Sequence, residues 1–199
     1  MTLIRQPFGN DATTETSLTS VGVGAVAGTN VAVVEYGTND IHKTVITLTD
    51  EVITIADDAG VAQYGGKKIY DFPQGLLCTL GAVIDGQLTA GVTGTIIATW
   101  DGDVALGTAT ATTGATLTGT EADVLQSTAT TTAVAKVGVT DALSIATALT
   151  ESGARWFDGT ATAKDLYLNF VIDDDASHTA GTATFTGTVT IMWTIIGDK

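Results

Sequence analysis

Basic residues are scarce. Eight lysines and arginines stand against 22 aspartates and glutamates in 199 residues, a formal net charge of −14 with a sequence pI near 4.1. That sign repels a phosphate backbone, whose binding needs clustered Lys and Arg, so direct nucleic-acid binding is not expected. The charge favours solubility, and a basic surface on a partner would be attracted to it. Proline occurs twice, leaving the turns to Gly, Asn and Asp, which tolerate positive φ. Cysteine occurs once, at Cys78, so no internal disulfide can form; in the apolar run "GLLCTLGAVI" a buried, inert thiol is expected.

Histidine is nearly as rare. His42 and His178 share no H-x-x-x-H spacing that would place two ligands on one helix face, and both read as solvated turn residues. The acidic runs at Asp173 to Asp175, Asp101 to Asp103 and Asp57–Asp58 put oxygen ligands at turns, but without EF-hand spacing, and they read as solvated carboxylates. No G-x-S-x-G, Walker loop or dinucleotide fingerprint follows a strand pattern. No enzymatic activity, cofactor or metal is expected. The opening "MTLIRQPFGND" has no apolar h-region, and no apolar stretch approaches about 18 residues, so a secretory signal and a membrane span are not expected either.

What the chain has is threonine, about a fifth of its residues, and 23 glycines. β-branched residues favour a pleated surface and resist helix, which makes all-β the leading class. The closing stretch "TATFTGTVTIMWTII" alternates strictly: Ala183, Phe185, Val189, Ile191, Trp193 and Ile195 on one face, Thr184, Thr186, Thr188, Thr190, Met192 and Thr194 on the other. A period of two is a strand with one face inward. The second face carries threonine where a solvated sheet would carry lysine and glutamate, which points to a neighbouring sheet or subunit covering part of it.

Residues 1–28 hold few large side chains and read as an extended arm, with Arg5 and Phe8 as anchors if it docks. Residues 29–199 read as one domain. "NVAVVEYG" and "IHKTVITLTDEVITIADD" supply strands, Pro73 closes "KKIYDFP", and "GLLCTLGAVIDGQL" reads as a strand buried on both sides or one that bends at Gly81. Asp101-Gly102 reads as a hairpin turn after "TIIATW". Thr118 with Glu121 has capping-box spacing and predicts a short helix through Gln126. "TDALSIATALT" fits both periods and is taken as strand, and "KDLYLNFVIDDD" is a strand with Leu166, Leu168, Phe170 and Ile172 on one face. Trp100 and Trp193 read as core, while Trp156 beside Phe157 reads as an aromatic pair in a loop, available for contact. The sum is eight to ten strands, one short helix and an N-terminal arm: a jelly-roll-like two-sheet β-sandwich, with an immunoglobulin-like sandwich as the alternative.

The segments "YGTNDIHKTVITLT" from Tyr36, "GDVALGTATAT" from Gly102 into "GTEADVLQ" from Gly119, "DLYLNF" from Asp165 and "FTGTVTIMWTII" from Phe185 resemble a head decoration (cement) protein of tailed bacteriophages, of the small jelly-roll type. The resemblance implies a structural virion protein, made in the host cytoplasm. It would be a homotrimer on the outside of an icosahedral capsid, bound to the major capsid protein and resisting the pressure of packaged DNA. The interface residues expected are Arg5, Phe8, Trp156, Phe157, Thr184, Thr186, Thr188 and Thr190. The alternatives are a carbohydrate-binding or receptor-binding module of a virion, which needs an exposed aromatic platform, and a tail or baseplate β-domain.

Overall fold

The computed structural model describes residue 26 and residues 30–38, 41–58, 62–90, 102–114, 116–130, 141–143, 156–173 and 180–196. Ten strands follow one another along these residues: β1 (Val31–Thr38), β2 (Ile41–Asp58), β3 (Ala62–Asp71), β4 (Leu76–Ala90), β5 (Gly102–Gly107), β6 (Leu125–Thr130), β7 (Asp141–Leu143), β8 (Trp156–Asp158), β9 (Asp165–Asp173) and β10 (Gly181–Ile196). All pair antiparallel in one sheet ordered β6-β5-β9-β3-β2-β10-β4-β7, with β1 added to β2 and β8 to β4. The protein is all-β and sandwich-like, and its two layers belong to a single sheet curled over on itself. Two strands separate β9 from β10 in that order, yet the Phe170 and Phe185 rings lie 6.0 Å apart.

The curl starts at β2. This 18-residue strand pairs along one edge with β10, whereas its other edge serves β1 at Ile41 to Leu48 and β3 at Ile55 to Asp58. β1 and β3 therefore leave the same edge at different heights, and β3 turns down to begin the second layer. Alternation then aims Ile46, Leu48, Ile53 and Ile55 of β2, and Phe185, Val189, Ile191 and Trp193 of β10, at Leu166, Leu168, Phe170 and Ile172 of β9. Each such side chain, fully buried, contributes roughly 1.5–3 kcal/mol of transfer free energy.

The seam where β1 and β3 diverge is polar. Glu35 of β1 is buried; His42 Nδ1 lies 2.6 Å from its Oε1 and the Tyr70 hydroxyl donates to its Oε2 at 3.1 Å. Trp193 stacks on the His42 ring at 4.2 Å and donates through Nε1 to Thr44 Oγ1 at 2.9 Å. Further along, buried Glu51 pairs with Lys67 of β3 and accepts the Asn30 backbone N–H at 2.7 Å. His42 is thus not the solvated turn residue its sequence position suggested. β2 begins at Ile41, so alternation turns the next side chain inward.

Residues 108–114 and 116–124 form a strap across the outer side of β3, β9 and β5. Asn169 of β9, fully buried, pins it: Nδ2 donates to Ala109 O at 2.9 Å and to Glu121 O at 2.8 Å, and Oδ1 accepts from Ala111 N at 3.0 Å. Asp123 accepts from the Thr108 N–H and hydroxyl at 2.8 and 2.6 Å, while loss of hydration pushes its carboxyl above the ordinary aspartate range. Under the strap a β-carbon on Gly66 would come within 2.3 Å of Asn169 Oδ1, so only glycine fits there.

The helix expected through Gln126 is a 3-10 turn at Gly119–Glu121, followed by β6. Thr118 makes no side-chain cap; Glu121 instead accepts from Thr112 N and Oγ1 at 3.0 and 3.1 Å, and Gly119 has φ +57. The strap took the carboxylate that a capping box would have used. Asp57 and Asp58 end β2 inside the strand, and Asp58 accepts from Gly114 N at 2.9 Å. Trp193 and Cys78 are buried as expected. Trp100, His178, most of the 1–28 arm and the 95–100 half of the hairpin lie outside the described residues; of "TDALSIATALT", Asp141–Leu143 is strand and the remainder lies outside them.

Two substitutions test this account by denaturant unfolding. Asn169→Ala strands three backbone groups under the strap and is expected to cost about 2–4 kcal/mol. Glu35→Ala leaves the His42 and Tyr70 donors without their acceptor in a dry seam and is expected to cost about 3–5 kcal/mol. A loss below about 1 kcal/mol in either variant would contradict the role assigned to that side chain.

Candidate functional site

The outer face of the β1–β2–β10–β4 layer collects most of the exposed apolar side chains. The register places them in rows across the strands. One row runs Ala32, Thr47, Thr188, Asp85; the next Val34, Val45, Thr190, Val83; the next Tyr36, Lys43, Met192, Gly81. Val34, Val83 and Met192 are exposed, as is Val52 opposite Thr184. Cross-strand β-branched pairs of this kind stabilise the sheet by some tenths of a kcal/mol each, so the threonines have a local role before any external one.

Two bulges shape the face. Between Met192 and Trp193 the partner strand β4 carries one extra residue, Leu80, which is exposed. Between Phe185 and Gly187 the extra residue is Asp50 of β2, at φ 51. Thr186 holds that bulge: its Oγ1 accepts the Asp50 N–H at 3.0 Å and donates to Asp50 Oδ1 at 2.9 Å. The left-handed conformation costs a non-glycine residue about 1–2 kcal/mol, least for Asp and Asn.

Charge is thin here. In the three rows named, Lys43 and Asp85 are the charged side chains, and Lys43 Nζ sits 4.9 Å above the Tyr36 ring. The inward carboxylates of the same strands, Glu35 and Glu51, are buried in the seam. Among the described residues, neither Thr188 nor Thr190 has a hydrogen-bond partner for its hydroxyl, and both are half-buried by flanking side chains. Away from this face, Lys68 lies between Asp71 and Asp165, its ammonium held above the usual lysine range chiefly by the hydrogen bond to Asp71. Burial works to raise Asp165, but the hydrogen bond and charge of Lys68 and the hydrogen bond from Tyr167 hold it below the ordinary range. No group of three metal-ligating side chains occurs among the described residues.

The residues singled out in the sequence divide. Trp156 is 51% exposed and lies on strand β8, not in a loop, opposite Cys78; Cys78 in turn opposes Thr194, which brings the indole to the outer face beside the threonine rows. Phe157 points the other way, into the core. Thr184, Thr188 and Thr190 lie on the outer face, and Thr186 is engaged by Asp50. Arg5 and Phe8 lie outside the described residues. Sequence reasoning missed Val34, Val52, Leu80 and Val83. Alternation within single strands marks Val83 and Met192 as outward, but which strands stand side by side is not a local property.

Comparison with protein-family models, curated proteins and solved structures yields no match.

The Asp50 bulge gives a paired test. Thr186→Ala is expected to lower stability by about 1 kcal/mol, since an exposed hydrogen-bond pair is partly replaced by water. Asp50→Gly is expected to recover it, because glycine adopts φ 51 without strain. The double variant should therefore unfold close to the parent's denaturant midpoint; a double variant weaker than Thr186→Ala alone would contradict the assignment.

Proposed function

We propose that this protein is structural, a head decoration (cement) protein that lays the β1–β2–β10–β4 outer face on the exterior of an icosahedral phage shell. One observation carries the reading. In a chain of net charge −14 a broad sheet face carries, among the described residues, few charges (Lys43, Asp50 and Asp85), with Val34, Val52, Leu80, Val83 and Met192 exposed between rows of threonine. Threonine suits such a contact, since it accepts water before docking and a partner's hydrogen bonds after it. The net negative charge of the chain keeps neighbouring copies from associating indiscriminately. The major capsid protein is the partner on this reading, and many copies on a lattice make modest single contacts sufficient.

The carbohydrate-binding alternative rests on Trp156, whose exposed indole offers a stacking surface. A single ring is a smaller platform than sugar recognition generally uses, so the decoration reading is preferred.

The test is to mix purified protein with capsids stripped of their decoration protein and count bound copies. Saturation at a lattice-related stoichiometry is expected, and Val83→Lys together with Met192→Lys should weaken it at least about tenfold while leaving the circular dichroism unchanged. Binding to a glycan array that Trp156→Ala abolishes, with no affinity for capsids, would overturn the decoration reading in favour of the alternative.

A further inference from the structure

We infer that β1 is a self-pairing edge, and that two copies of this chain join through it in an antiparallel twofold contact that continues the upper layer of the sheet from one copy into the next. β1 pairs with β2 on one side, and no described strand pairs with its far side. The Thr49 N–H donates to the Asn30 carbonyl at 3.0 Å, which sets the phase of the ladder. By alternation, Ala32, Val34 and Tyr36 bond to β2, while the N–H and C=O groups of Val31, Val33, Glu35 and Gly37 point off the sheet.

Among the described residues the other terminal strands are shorter than β1, which has eight. β7 and β8 are three residues each, and β6 carries Gln126, Ser127 and Thr128. β1 is eight residues, "VAVVEYGT", with no lysine or proline. Its one charge, Glu35, is buried against His42 and Tyr70, so it does not confront a partner strand. Long, uncharged, unpaired edges are templates for strand addition, and proteins that must stay apart block them.

The occupant is a second copy because the strand is complementary to itself in one register. Directly opposed residues in an antiparallel pair face the same side, so Val34 must meet a residue of like facing on the partner. Centring the pair on Val34 opposes Val34 to the partner's Val34, Ala32 to the partner's Tyr36 and Val33 to the partner's Glu35, which uses every outward backbone group from Val31 to Gly37. Centring on Glu35 would oppose two carboxylates, and centring on Val33 would leave Gly37 unpaired. Between two chains of net charge −14, an edge that displays no charge is where approach costs least. Strand addition of this kind draws its affinity from main-chain hydrogen bonds. It is independent of shell docking and gives a twofold pair, not the trimer that the sequence resemblance implies.

Sedimentation velocity across a wide concentration range, at about 0.15 M salt to screen the net charge, is expected to show a monomer–dimer equilibrium. Val34→Lys opposes two ammonium groups at the centre of the pair and should shift that equilibrium toward monomer by at least about tenfold, with unchanged circular dichroism. Val34→Cys should give a disulfide-linked dimer on oxidation, whereas Ala32→Cys, which faces the partner's Tyr36, and the parent with its buried Cys78 should not. A parent that stays monomeric throughout, a trimer, a dimer indifferent to Val34→Lys, or equal cross-linking from positions 32 and 34 would each overturn the inference.

Discussion

The rest of this structure depends on how the two edges of β2 are shared. One edge is committed along most of its length to β10, while the other holds β1 at the start and β3 at the end. A sheet with two strands leaving the same edge cannot stay flat, because β1 and β3 would compete for the same space. β3 therefore drops out of the plane and carries β9, β5 and β6 beneath the first layer. Two buried carboxylates, Glu35 and Glu51, occupy the wedge that this departure opens, and each has partners that reach across from β3: Tyr70 for the first, Lys67 for the second. Apolar side chains there would pack against a splaying gap; paired polar groups tie the diverging strands by direct bonds instead.

Three of the four register shifts among the described strands belong to the same geometry. Ile69 in β3, Leu80 in β4 and Asp50 in β2 each add one residue opposite a partner strand, and each increases local twist where the sheet must bend. Ile69 and Tyr70 both end up fully buried, which strict alternation would forbid. Leu80 and Gly81 are exposed together for the same reason. The outer face thus gains an apolar knuckle beside Met192 as a consequence of curvature. Outer face and core are coupled through these positions, since a change that straightens β4 would withdraw Leu80 from the face.

Much of this was legible. The strict alternation from Ala183 to Ile195 predicted the inner face of β10 residue by residue, and that of "DLYLNFVI" did the same for β9. Trp193 and Cys78 were correctly expected to be buried. The failures share one cause. His42 looked like a turn residue, Phe157 like an accessible aromatic and Glu121 like a capping carboxylate, because each was judged by its neighbours in sequence. Their real partners lie on other elements: Glu35 of β1 for His42, Thr112 of the strap for Glu121, and Leu77 of β4 opposite Phe157. Local rules are blind to such partners.

By itself the sequence determined the secondary structure class, the inward faces of β9 and β10 and the sign of the net charge, because these follow from side-chain volume, β-branching, a period of two and composition. Only the tertiary structure decided that one sheet supplies both layers, that Glu35 and Glu51 lie inside, that a strap hangs from Asn169, and that Thr188, Thr190, Val83, Met192 and Trp156 share a face. The physical reason is that strand order and bulge position arise from contacts between residues remote along the chain, and no window of neighbouring residues contains the information that selects among them.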